Sequence, residues 1–441
     1  MELFVIPTHR RCIQAIESLI KEIKLCKVAD EQKALAIICN GDDKIEKDLL
    51  EYLCQRKKDL NFKIYLINKN DMIKISHKLA ENLGKKQSEM DALLIPDRID
   101  YGKIYNMIYI VSFILEAEVV HRRDSDCYFF EYQEASEFSI NYEERFVKKK
   151  INSVMKEQGL TVVDEVIFSD CEEILIVGSD YVGNWNIDLH ELMNANGEVA
   201  KKLLEICGIP EDSIDDQVNA NYSNKCISNS NEAILKSSFK VPNAPECGNM
   251  CMYQAHRYIP NFIGENGIGF DYFTYFLCFL FGVPIVFHQN RINHIHDSKR
   301  YEDIDFYQYW LGIIKMVDFD LIYTSFIKNN YVESLMENKR GLEEIKKIVS
   351  HEFPLALEEI VNGISEEIRI EKFNSVAKEI LINSNIEKYV HIGEQLLNER
   401  EEILESIRDD YKKSIRLQYI WDKVVVASEQ LEFSKDKWEI E

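Results

Sequence analysis

The chain has 441 residues, room for two or three domains and one large core. Hydrophobic residues make up 46% and charged residues 29%, which excludes a disordered chain. A formal net charge of −23 excludes a general affinity for nucleic acid or an anionic membrane, although an arginine-lined pocket can still take a phosphate ligand.

The 11 cysteines show no paired framework, and Cys39 and Cys278 sit in apolar runs, so buried free thiols in a reducing compartment are expected. Cys247 and Cys251 have the look of half a zinc site, but no second Cys/His pair at finger-like spacing follows. The opening MELFVIPTHRR lacks a basic segment followed by a long apolar one and does not read as a signal peptide. Tyr272–Phe287 is uncharged but only 16 residues long, and Gly282 and Pro284 interrupt it. That is short for a membrane span and reads as a buried helix followed by a strand. A cytoplasmic protein without membrane insertion is the expectation.

In chain order, Leu3–Ile6 reads as a buried strand ending at Pro7, followed by Thr8, His9, Arg10, Arg11 and an amphipathic helix to about Cys26. Leu35–Cys39 is a second strand, closed by the turn signal Asn40-Gly41-Asp42-Asp43, and a helix runs from about Lys44 to Arg56. Phe62–Ile67 is a third strand. Strands alternating with helices imply parallel βαβ units, with ligands bound beyond the carboxyl ends of the strands. Tyr101–Ala117 reads as a helix with a stripe of Ile104, Ile108, Val111 and Leu115, leading into the strand Val119–Arg123.

Two carboxylates one residue apart, Asp124 and Asp126, follow that strand end. Hard cations such as Mg2+ and Mn2+ take oxygen ligands and are commonly held by one or two carboxylates plus substrate phosphates. Arg122 and Arg123 beside them suit phosphate oxygens. Two further D-x-D triplets exist, Asp303/Asp305 and Asp318/Asp320. The first falls in a polar, aromatic loop and the second inside a buried segment, so only Asp124/Asp126 follows a strand of the βαβ half.

This order of P-T-x-R, three β-α units, a helix, then strand and D-x-D resembles the GT-A class of nucleotide-sugar glycosyltransferases. The resemblance covers about residues 1–300 by motif order. It implies an α/β fold with a Rossmann-like mixed sheet flanked by helices, a nucleotide-sugar donor, and a divalent metal, Mn or Mg, bridging the donor's diphosphate. It implies that Thr8, Arg11 and either Asp42 or Asp43 lie by the nucleotide, and that Lys103 and Asn106 touch the donor. Asp124 and Asp126 take the metal, and Arg122 or Arg123 adds charge. An acidic residue opening a helix below the acceptor site serves as base in inverting members. Asp271, after the glycine-rich run from Gly264, resembles it, and helix capping accounts for the same aspartate; Glu265 is the alternative. A third metal ligand is often a late histidine. Four of the ten histidines fall within 256–296, and His288 and His296 are favoured over His294.

The segment Gly178–Trp185 suits a sugar-facing loop or a hairpin with Trp185 in the core. Residues 207–245 read as a long polar loop. From about Ser334 the sequence turns to dense Glu, Lys and Arg with helix-spaced apolar residues. The division expected is therefore a catalytic domain over 1–333 and a helical domain over 334–441, the latter suited to self-association or to an acceptor protein. Two other readings stand beside the transferase: a sugar-phosphate nucleotidyltransferase, which lacks its G-x-G-x-R loop here, and a catalytically inactive GT-A-like binding protein.

Overall fold

The computed structural model describes residues 1–441 except 97–98, 130–137, 156–159, 163–171, 184–189, 208, 210, 216–232, 237–244, 296–302, 329–347, 432–436 and 441. Its strands are β1 (Glu2–Thr8), β2 (Lys33–Cys39), β3 (Lys63–Ile67), β4 (Val119–Arg123), β5 (Cys127–Tyr128), β6 (Leu160–Val162), β7 (Ile176–Gly178), β8 (Tyr181–Gly183), β9 (Ala233–Lys236), β10 (Asn249–Tyr253), β11 (Ile285–His288) and β12 (Ile292–His294). Nine of them form one sheet in the order β3-β2-β1-β4-β10-β7-β11-β9-β6, and β5-β12-β8 form a small second sheet.

The parallel half follows from the sequence. β1 and β2 are buried almost end to end, as strands covered on both faces must be. Side-chain caps start three of the helices of this half, although the helix Ile13–Leu25 between β1 and β2 has none. Asp42 accepts from the amides of Lys44 (3.1 Å) and Ile45 (2.9 Å) at the head of the helix Asp43–Lys57. Asn68 and Asp71 form a capping box for Lys69–Asn82. Asp100 caps Tyr101–Ile114, a helix that ends three residues short of the expected Ala117 and is buried on nearly every side. It lies between the sheet and the C-terminal helices, so it has no solvated face to be amphipathic about.

The second half departs from the expected pattern. The run after Gly248, to which the sequence assigned no element, forms β10, inserted antiparallel between β4 and β7. Asn249 pairs with Arg123, which puts the residues before β10 on the rim where β4 ends. Asp271 lies in a 3-10 turn, Phe270–Tyr272, before the helix Phe273–Leu280. Asp303 and Asp305 open the 26-residue helix Asp303–Lys328 rather than occupying a loop. The expected boundary near 333 falls in 329–347, outside the described residues.

Beyond it the helices Phe353–Gly363, Glu366–Asn374, Glu387–Asn398 and Arg400–Glu429 share the main core, one cluster that reaches from Leu3 to Trp438. Trp421 packs its ring against Tyr109 and Phe113 of the helix Tyr101–Ile114. The chain end then runs along the free edge of β3: Leu66 donates to the Trp438 carbonyl (3.0 Å) and Ile440 to that of Ile64 (2.9 Å). That pairing closes an edge otherwise open to another chain. Among the described residues, no helix is long and apolar enough to cross a membrane.

Candidate active site

A cavity of about 420 Å3 opens at the carboxyl ends of β1, β2 and β4. On the sheet side it is lined by Thr8, His9, Arg10, Asn40, Asp124, Ser125, Asp126, Tyr181 and His294. The opposite wall comes from helices and their leading turns and includes Tyr101, Tyr105, Asp271, Tyr272 and Tyr309. Thr8 fixes the loop after β1 by accepting from the Arg10 amide (3.0 Å) while its hydroxyl donates to the Arg10 carbonyl (2.6 Å). Arg10 then reaches Asp126 at 3.1 Å. His9 is held neutral, its pKa down to about 4 through burial and the neighbouring Arg10.

Alternation along β4 decides which basic residues reach the site. Arg122 faces the helix Tyr101–Ile114. Its guanidinium lies over the Tyr105 ring, 2.9 Å from the centroid, and bridges Asp124 (3.3 Å) and Asp271 (2.8 Å). Asp124 also accepts from the Tyr105 hydroxyl (2.5 Å) and the Tyr181 hydroxyl (3.1 Å). Gly248 lets the chain pass there, since a Cβ would collide with the Asp124 carboxylate and the Tyr181 hydroxyl. Burial raises the Asp271 pKa against the pull of Arg122, and nearby Asp124 adds to the rise.

Arg123 points to the other face and enters a closed network. It pairs with Glu22 (2.6 Å) and Glu143 (2.9 Å), while His121 meets Glu143 (2.6 Å) and Glu2 (3.3 Å). Arg123 is thus apart from the cavity that the sequence assigned it to.

Of the other residues singled out from sequence, Thr8, Asp124, Asp126 and Asp271 come together at the cavity, and Arg11, Asp42, Lys103, Asn106, Glu265 and His288 do not line it. Arg11 is exposed. Asp42 is occupied as a helix cap, while Asn40 and Ile45 on either side of it line the cavity. Lys103 donates to the Ile95 carbonyl (3.1 Å) and lines a different, charged cleft. Asn106 is tied to Asn261 through that residue's carbonyl (3.0 Å) and amide (2.7 Å). Glu265 lines a separate charged cleft shared with the helix Arg400–Glu429. His288 stacks on Tyr142 behind the sheet, and burial takes its pKa down to about 3. His296 and Trp185 lie outside the described residues, as does the Asp303 side chain; Asp305 lines the cavity from its helix.

The histidine that arrives is His294. β12 pairs with β5 so that His294 sits opposite Cys127, and the Ile295 amide donates to the Asp126 carbonyl (3.1 Å). Its ring stacks on Tyr181 and its Nε2 is 3.6 Å from Asp126 Oδ1. Asp126, Cys127 and His294 each offer a ligand atom within 4.8 Å of the others. Burial pushes the Cys127 thiol well above its usual range, so in the metal-free cavity the ready donors are carboxylate oxygen and imidazole nitrogen. One carboxylate oxygen and one borderline imidazole nitrogen, open to the cavity, would suit a divalent ion such as Mn2+ better than Mg2+. Sequence spacing gave no signal for Arg10 or Tyr105, while Tyr181 fell in the segment read as a sugar-facing loop or hairpin and His294 in the histidine cluster, passed over for His288 and His296 because long-range pairing decides between them.

A family model matches residues 3–437. The chain belongs to DUF6271, a family of unknown function. No curated protein matches this DUF6271 chain. Among solved structures it is similar to the mannosyltransferase PcManGT from Pyrobaculum calidifontis in complex with GDP-Man and Mn2+, at TM-score 0.35 and 7% identity over 96% of this chain and 87% of that one. It is also similar to S. aureus TarS 1-349 in complex with UDP-GlcNAc, at TM-score 0.30 and 10% identity over 95% of this chain and 91% of that one. Likenesses this loose assign no role to any residue of the cavity.

Proposed function

We propose that this DUF6271 protein is a glycosyltransferase of GT-A type that moves a sugar from a nucleotide-sugar donor with the help of a divalent metal. The convergence of Asp126, His294 and Asp271 on one cavity at the carboxyl ends of parallel strands carries the reading. Asp126 and His294 would hold the metal, and Asp124 lines the cavity beside them in its grip of two tyrosines and an arginine. When bound, the cation neutralises the diphosphate leaving group. Thr8, Arg10 and Asn40 form the wall that meets the nucleotide. Asp271 takes the proton from the acceptor hydroxyl in an inverting reaction, a task suited to a carboxylate whose pKa is raised by burial. Arg122, in contact with Asp271, keeps part of its charge in place.

Calorimetry with UDP and GDP tests the reading directly. Binding with Mn2+ present should weaken sharply on addition of EDTA, and His294→Ala should weaken it as well. Equal affinity with and without metal would remove the metal from the proposal. Donor hydrolysis without acceptor, followed by nucleotide release, separates an enzyme from an inactive binding protein.

A further inference from the structure

The two walls of the cavity differ in chemistry, and only the sheet-side wall is used by the donor in the reading above. The helix-side wall combines the rings of Tyr101, Tyr272 and Tyr309 with the carboxylates of Asp271 and Asp305, and no lysine or arginine lines it among the described residues. Its scaffold is rigid. Phe306, Trp310, Ile313 and Ile314 sink the helix Asp303–Lys328 into the core, and the Tyr309 ring meets that of Trp310 edge-on at 5.5 Å. Tyr272 follows Asp271 directly, so an aromatic face stands beside the carboxylate already assigned the proton.

We infer that this wall is an acceptor subsite for an uncharged saccharide. The inference rests on the transferase reading and names its acceptor class. A sugar ring offers an apolar face of C–H groups and a rim of hydroxyls. Tyrosine rings bury the former and carboxylates accept hydrogen bonds from the latter. A phosphate-bearing acceptor meets the carboxylates of Asp271 and Asp305, of which only Asp271 has a cation beside it, Arg122 at 2.8 Å, and like-charge contacts of this kind disfavour partners. The wall also lies inside a cavity of about 420 Å3, sized for a small molecule rather than a folded protein surface.

Saturation-transfer NMR on methyl hexopyranosides tests the subsite without relying on turnover. Spectra are recorded with the full chain, alone and with Mg2+ plus UDP or GDP. Glycerol phosphate and a Ser/Thr peptide serve as the charged and polypeptide probes. A methyl glycoside should show saturation concentrated on one ring face, and the other two probes none. Tyr309→Ala should lower that signal by about tenfold, the loss of one stacking ring, while Tyr309→Phe retains it. Tyr309 is half-buried on a helix where alanine is well tolerated, so it decides the matter if Tyr272→Ala does not fold. Preferential saturation of glycerol phosphate or of the peptide overturns the inference. So does absence of saccharide signal in every mixture, or a saccharide signal indifferent to Tyr309→Ala. Saccharide binding without nucleotide binding overturns the donor reading alone. Nucleotide binding without saccharide binding overturns this subsite alone.

Discussion

Arg122 and Arg123 are neighbours of one residue type, both buried, and they do opposite things. Arg123 sits in a sealed network where Glu22, Glu143 and His121 satisfy one another away from the cavity. Arg122 stands among Asp124, Asp271 and Glu246 at the edge of a cavity. Burial together with Asp180 and Asp271 pushes Glu246 up to about 8. The difference teaches where charge is structural and where it is available. One face has found its partners within the protein. The other leaves Asp124 and Asp271 sharing one guanidinium at the cavity, which suits a ligand that brings a cation.

The largest effect expected from this contrast is on stability. Arg123→Met strands the Glu22 and Glu143 carboxylates in a dry interior and should cost about 3–5 kcal/mol by urea denaturation. Arg122→Met should cost less, about 1–3 kcal/mol, because Asp124 keeps its two tyrosine donors and lines the cavity. Equal losses would erase the distinction between the faces.

Next in size is turnover. Asp126→Asn should lower it by a factor on the order of 10²–10³, with circular dichroism unchanged. Asp318→Asn, from another D-x-D triplet, should leave turnover intact. Asp318 is buried against Arg369 and Tyr411, so it should instead lower stability by about 1–3 kcal/mol. A dead Asp318→Asn enzyme with active Asp126→Asn would move the metal site elsewhere.

The smallest effect concerns pH. With its folded pKa raised to about 8, Glu246 keeps a proton in the native chain that the unfolded chain gives up near pH 4.3, about its unperturbed value. The native state therefore binds more protons across that window, and stability falls as pH rises through it. Glu246→Gln should remove this slope. It should match the parent protein near pH 4 and gain about 2–4 °C in melting temperature at pH 8, read by scanning calorimetry. A variant destabilised at both pH values would place Glu246 in an ion pair rather than in a crowd of like charge.

Much of the first half was legible in the sequence because its signals are local. The apolar runs of β1, β2 and β3, the Asp42 and Asp100 caps and the strand ahead of Asp124 are each set by residues a few positions apart. They were enough to put Thr8, Asp124 and Asp126 on one rim, since parallel strands share their carboxyl ends. What only the tertiary structure decided depends on pairing across long stretches of chain. The alternation of β4 sent Arg122 to the cavity and Arg123 behind the sheet, a choice invisible until the covered faces are known. The register of β12 against β5 brought in His294, while β11 buried His288 against Tyr142. The helices after Ser350 carry charge enough to read as an appendage. Their apolar stripes nevertheless complete the core around Tyr101–Ile114, because a helix buried on every side needs a second layer to cover it.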